Sequence, residues 1–149
     1  MSSAATPYGF RPVGYLSGRS YNASFRQVKI ASGLATNIFN GDIVKILTTG
    51  TLDKDTGTTA TTAGAGLGIF VGCTYTDSGL SYKVHRNYWP TGAVATDAYG
   101  FVVDDPLAVF QVQASGTLAQ TALGNNIGLV QNAGSTQNGR SRVTVDHTT

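Results

Sequence analysis

From Phe25 onward, apolar and polar residues alternate in short runs separated by turn-forming residues. Phe25-Arg26-Gln27-Val28-Lys29-Ile30 has the period of two that belongs to a half-buried strand. Asp42 to Leu47 forms a second run, after the Asn40-Gly41 turn signal. The most apolar stretch is Leu67 to Tyr75, and Leu80 to His85 returns from it after Asp77-Ser78-Gly79. Tyr99 to Val103 and Leu107 to Gln113 flank Asp104-Asp105-Pro106, and Ile127 to Val130 and Arg142 to Val145 complete the set. Only Thr117 to Leu123 suits a short helical turn, while the Thr- and Gly-rich tract 48–66 reads as a long loop or a loosely specified hairpin. The pattern predicts an all-β fold: an antiparallel sandwich or barrel of about eight short strands. There is no internal repeat.

The first 24 residues are written differently. Three glycines and two prolines are interleaved with isolated aromatics, as in Pro7-Tyr8-Gly9-Phe10-Arg11-Pro12-Val13-Gly14-Tyr15. Pro12 and Pro7 bias the residues before them away from helix. A free tail would carry fewer aromatics. Two readings follow: an extended arm over 1–24 that leaves a single β domain over 25–149 to dock on another subunit, or an irregular strand packed on its own domain. In the first, Tyr8, Phe10 and Tyr15 are the anchors. Arg11 makes a charge-assisted bond to the partner, and Pro7 and Pro12 stiffen the free arm.

Composition sharpens this picture. Of 149 residues only 12% are charged, all 8 acidic residues are Asp, and Lys numbers 4, so exposed helix faces have little to be made of. The net charge of +2 is small and the basic residues are spread along the sequence, which argues against direct nucleic-acid binding. No apolar run reaches the roughly 18 residues of a membrane span. The N-terminus lacks the pattern of a signal peptide, so the expectation is synthesis and retention in a cytoplasm.

Candidate chemistry is sparse. The single Cys73 lies in the most apolar run with no nearby base, and reads as an inert buried thiol. His85 and His147 have no spaced second ligand, and no Gly-x-Ser-x-Gly elbow accompanies them, so neither a metal site nor a hydrolase is expected. Gly64-Ala65-Gly66-Leu67-Gly68 precedes a strand, where a dinucleotide loop follows one, so no cofactor is expected. Asp104 and Asp105 point to opposite faces if extended and, before Pro106, fit a turn whose side chains cap backbone amides. Tyr82, Tyr88 and Trp89 offer a stacking platform for a sugar or a base, although packing in the core or at an edge explains such a cluster more often; the platform is the basis of a rival reading as a carbohydrate-recognition module such as a fibre or tailspike fragment.

Several phrases stand in order along nearly the whole chain: Pro7 to Val13; Phe39-Asn40-Gly41-Asp42-Ile43-Val44; Leu67 to Gly72; Asp104-Asp105-Pro106; Phe110-Gln111-Val112-Gln113; Gly124-Asn125-Asn126; and Gly139-Arg140-Ser141. Together they resemble the capsid decoration, or cement, proteins of tailed double-stranded-DNA bacteriophages. The tract 48–66 and the segment 77–98 have no counterpart in that resemblance. It implies a non-enzymatic virion protein on the outer surface of the expanded capsid, made in the host cytoplasm. Its partners would be the major capsid protein and other copies of itself, in a trimer at local three-fold positions.

Overall fold

Period-two runs with one apolar face need neighbours on both edges, and the chain supplies them in a single curved sheet. The computed structural model describes residues 6–57 and 66–148. It is all-β, with ten short strands, no α-helix and no closed barrel among these residues. The strands are β1 (Arg11–Tyr15), β2 (Arg26–Lys29), β3 (Ile43–Ile46), β4 (Leu52–Lys54), β5 (Gly68–Thr76), β6 (Lys83–Arg86), β7 (Tyr99–Val103), β8 (Ala108–Gln111), β9 (Leu129–Val130) and β10 (Thr144–Val145). The predicted helical turn is a 3-10 turn at Gln120–Ala122.

Six strands form the main sheet, in the order β2-β7-β5-β3-β4, with β6 also paired to β5. All of its ladders are antiparallel. The nine-residue β5 is the spine: β7 runs along Ile69 to Thr74, β3 takes Gly68 and Ile69, and β6 takes Cys73 to Thr76. A bulge between Phe70 and Gly72 bends it. The curvature brings the two edges together, since Ile30, just past β2, makes one parallel bridge to Leu52 in β4. The ladder goes no further, so the sheet curls without closing.

The core lies inside this curl. Ile30, Val44, Leu52, Phe70, Cys73, Trp89 and Val102 have no exposed surface. Gly100 is required there, because a Cβ would stand 2.7 Å from Leu52 Cδ2 and 3.0 Å from Phe70 Cε2. Two smaller pairs, β1-β8 and β9-β10, flank the main sheet.

The structure decides between the two readings of the N-terminal segment as far as its own chain is concerned. Residues 11–15 are a strand on β8, with Arg11 opposite Gln111 and Tyr15 opposite Ala108. Phe10 stacks edge-on against Phe110, ring centroids 6.3 Å apart. The segment is therefore not an arm held away from residues 25–149. It lies against them, because β8 would otherwise have a bare edge and Phe110 an open face. The tract 48–66 is in part a hairpin: β4 folds back on β3 through a turn in which Leu47 N–H donates to Thr51 O at 2.9 Å. Residues 58–65 of that tract, with Gly64 and Ala65 of the glycine-rich run, lie outside the described residues, as does the Met1 to Ala5 stretch.

Candidate partner-binding face

The turn Phe39-Asn40-Gly41-Asp42 is where distant parts of the chain meet. Gly41 has φ of +95°, a conformation that favours glycine, and a Cβ there would lie 2.8 Å from Tyr8 O. Asp42 closes the turn by accepting the Phe39 N–H at 2.9 Å through Oδ2. The same oxygen lies 3.2 Å from Lys54 Nζ, and Asp42 is fully buried. On one side Gly41 N–H donates to Phe70 O and the Asn40 amide to Val71 O, fixing the turn to β5. On the other side both terminal segments dock: Phe10 N–H donates to Gly41 O, Asn40 N–H to Gly139 O, and Ser141 N–H to Asn40 O, all within 3.0 Å. The Asn87 amide, just past β6, donates to Asn138 O at 2.7 Å.

Two adjoining clefts open where the terminal segments meet. The larger, about 760 Å³, has Pro7 and Tyr8 on one wall and Asn132, Asn138, Arg140 and Arg142 on the other. The smaller, about 290 Å³, is bounded by Tyr8, Phe10, Arg11 and Pro12 on one side and by Asn40, Asn87 and Arg140 on the other. Five of the six residues proposed from the sequence as partner contacts, Pro7, Tyr8, Phe10, Arg11 and Pro12, thus share one face. Tyr15 does not join them. It sits at the far end of β1, its hydroxyl donates to Asn22 Oδ1 at 2.8 Å, and its ring tilts against Tyr21. Phe10 is also partly spent, because its ring already covers Phe110.

Basic residues that are scattered in the sequence come near one another here. Arg11 and Arg140 border the smaller cleft, and Arg140 and Arg142 the larger, so residues more than a hundred positions apart form one cationic row. Among the described residues, no carboxylate lies within ion-pair distance of any of the three. Sequence reasoning takes Arg140 and Arg142 only as scattered basic residues and as parts of a phrase and a strand, and passes over Asn132 and Asn138. The available signal was the alternation Arg140-Ser141-Arg142-Val143, which puts both arginines on one side of an extended segment.

Asp104-Asp105-Pro106 is a turn between β7 and β8. Asp105 Oδ1 accepts the Leu107 N–H at 2.8 Å, while Asp104 pairs with Arg26, 2.9 Å from Nε to Oδ2. The carboxylates are committed to different partners and do not converge.

Elsewhere the reactive groups are dispersed. His85 is exposed on β6. His147 Nδ1 lies 2.8 Å from Ser115 Oγ, a contact the sequence did not announce, and the same oxygen accepts the His147 N–H at 3.2 Å. This pairing ties the C-terminus to the loop after β8. Among the described residues, no group of three or more His, Cys, Asp or Glu is placed to hold a metal. Burial pushes the Cys73 thiol up to about 12, and its Sγ lies 3.3 Å from Tyr88 O. The stacking platform is not assembled. Trp89 is fully buried against Tyr75, Tyr88 lies flat on Phe39 at 5.6 Å, and Tyr82 alone is exposed.

No family model matches the chain, and no curated protein or solved structure does either.

Proposed function

We propose that this chain is a non-enzymatic virion protein that binds the outer surface of a phage capsid and braces the shell across junctions between major capsid subunits. The observation that carries the reading is the convergence of the family-like phrases. Pro7 to Val13, Phe39 to Val44, Phe70 and Val71 of Leu67 to Gly72, and Gly139 to Ser141 are remote in sequence, yet all meet at the Asn40-Gly41 turn. A face assembled from both termini on a rigid sheet suits wide, shape-matched contact better than chemistry on a small substrate. Individually modest contacts become tight when a symmetric shell presents them many times over.

Self-association belongs to the proposal. Leu16 and Leu107 are 71% and 50% exposed, and Leu16 N–H donates to Leu107 O, so two exposed leucines sit together at one end of the β1-β8 pair. A second copy around a local three-fold axis is the occupant that fits the reading.

Co-sedimentation with purified phage shells is the test. The expected result is saturable binding to expanded shells and little to unexpanded ones. Equal recovery in the supernatant with and without expanded shells would contradict the proposal.

A further inference from the structure

We infer that the Arg11-Arg140-Arg142 row receives an extended acidic segment of the capsid protein, with carboxylates at alternate positions seated on the arginine forks. This rests on the decoration reading and names the chemistry of the partner.

The segment carrying two of the arginines is held rigidly. Ser141 and Val143 have no exposed surface, while Arg140 and Arg142 between and before them are exposed. Arg140 O accepts the Ser135 N–H at 3.0 Å, and Arg142 O accepts the Asn132 amide at 3.0 Å. An extended backbone places residues two apart about 7 Å from each other on one face. Alternate side chains of an extended partner have the same spacing, so successive carboxylates meet successive guanidinium groups. Arg11 borders the smaller cleft together with Arg140.

The backbone argues against a compact free anion such as phosphate. Sites for such anions usually offer a nest of unengaged N–H groups. Here the N–H groups of Gly139, Arg140, Ser141 and Val143 already donate to Ser135 O, Asn138 Oδ1, Asn40 O and Ser141 Oγ. Recognition is left to long side chains spread over two clefts, which suits several spaced charges. Guanidinium groups are also the cations whose planar forks match carboxylates in bidentate pairs. Bringing like charges together without an internal acid is unfavourable at low salt, and a negative partner relieves it.

The test uses the full chain, labelled for amide NMR. It is titrated with a short synthetic peptide carrying aspartate at alternate positions, with its asparagine analogue, and with inorganic phosphate. The expected result is shifts at Tyr8 and Asn138 to Arg142 with the aspartate peptide alone. Roughly tenfold or greater weakening is expected in R140Q/R142Q, with no change in R19Q, which alters an exposed arginine outside both clefts. In R140K/R142K, where charge survives and the fork is lost, binding should be intermediate. R140Q/R142Q should also occupy expanded shells less than the unaltered chain. Unchanged peptide affinity and unchanged shell occupancy in R140Q/R142Q would overturn the inference, as would phosphate saturating the same amides at lower concentration than the peptide. Failure of the unaltered chain to sediment with expanded shells overturns the decoration reading instead, and the peptide titration still decides the chemistry of the clefts.

Discussion

The curled sheet and the face built by the two termini meet at one turn, yet they are held together by different physics. In the sheet, fully buried apolar side chains pack against antiparallel ladders, as Phe70, Val102 and Leu52 do. On the face, side-chain amides bind single backbone groups: Asn87 to Asn138, Asn132 to Arg142, Asn40 to Val71. The sheet gains stability from area removed from water. The face gains shape and polarity, with less burial to hold it. The scaffold therefore resists change more than the surface it carries.

Substitutions on either side of the turn probe this difference. Phe70→Ala opens a cavity at the centre of the curl and is expected to lower unfolding stability by about 3–5 kcal/mol, read from urea denaturation. Asp42→Ala strikes the joint between the regions. It leaves Lys54, whose side chain is 13% exposed, without its carboxylate and opens the turn at Phe39. A loss of about 3 kcal/mol is expected, and replacing Lys54 with Met in the same chain should recover part of it. Gly9→Ala acts on the face alone. Gly9 has φ of +74°, and its Cβ would fall 2.5 Å from Ser141 Cβ and 2.7 Å from Gly41 O. The expected cost is about 2 kcal/mol, with faster amide exchange in residues 8–12 and 139–142 and little change in β5 and β7.

The smallest effect lies at the far end of β5, remote from the turn. Thr76 donates to Asp97 through its hydroxyl at 2.7 Å and its N–H at 2.9 Å, holding that carboxyl below its ordinary value of 3.8. A carboxyl depressed in the folded state adds stability above its unfolded value, and that stability is lost as pH falls through the folded one. Thr76→Val should therefore cost a little at neutral pH, with the gap to the unaltered protein closing in acid. A gap that widens in acid would show that another group governs this edge.

How much of this was legible in the sequence follows the same division. Strand β7 spans the predicted Tyr99 to Val103, and β5 and β3 lie within a residue of their predicted bounds, because a buried strand must alternate or stay apolar. The Asn40-Gly41 turn was readable because few residues but glycine accept its geometry. Strand β4 was hidden, since Leu52 is one apolar residue in a polar tract and gains meaning only opposite Ile46. Leu80 to Tyr82, read as strand, is turn instead: Asp77 Oδ1 accepts the N–H groups of Gly79 and Leu80, and Ser81 has φ of +57°. The face was least legible. Arg11 and Arg140 share a cleft only because a β1-β8 pair and a C-terminal loop dock on the same turn, and neither docking leaves a periodic mark.

The central claim is that the face built by the termini is what binds the shell. Amide hydrogen exchange of the full chain, free and bound to expanded capsids, tests it directly. The account predicts added protection at residues 6–12 and 132–142, with the amides of β5 and β7 unchanged. Protection absent from both segments, or confined to the exposed Leu80 to Tyr82 turn, would contradict it.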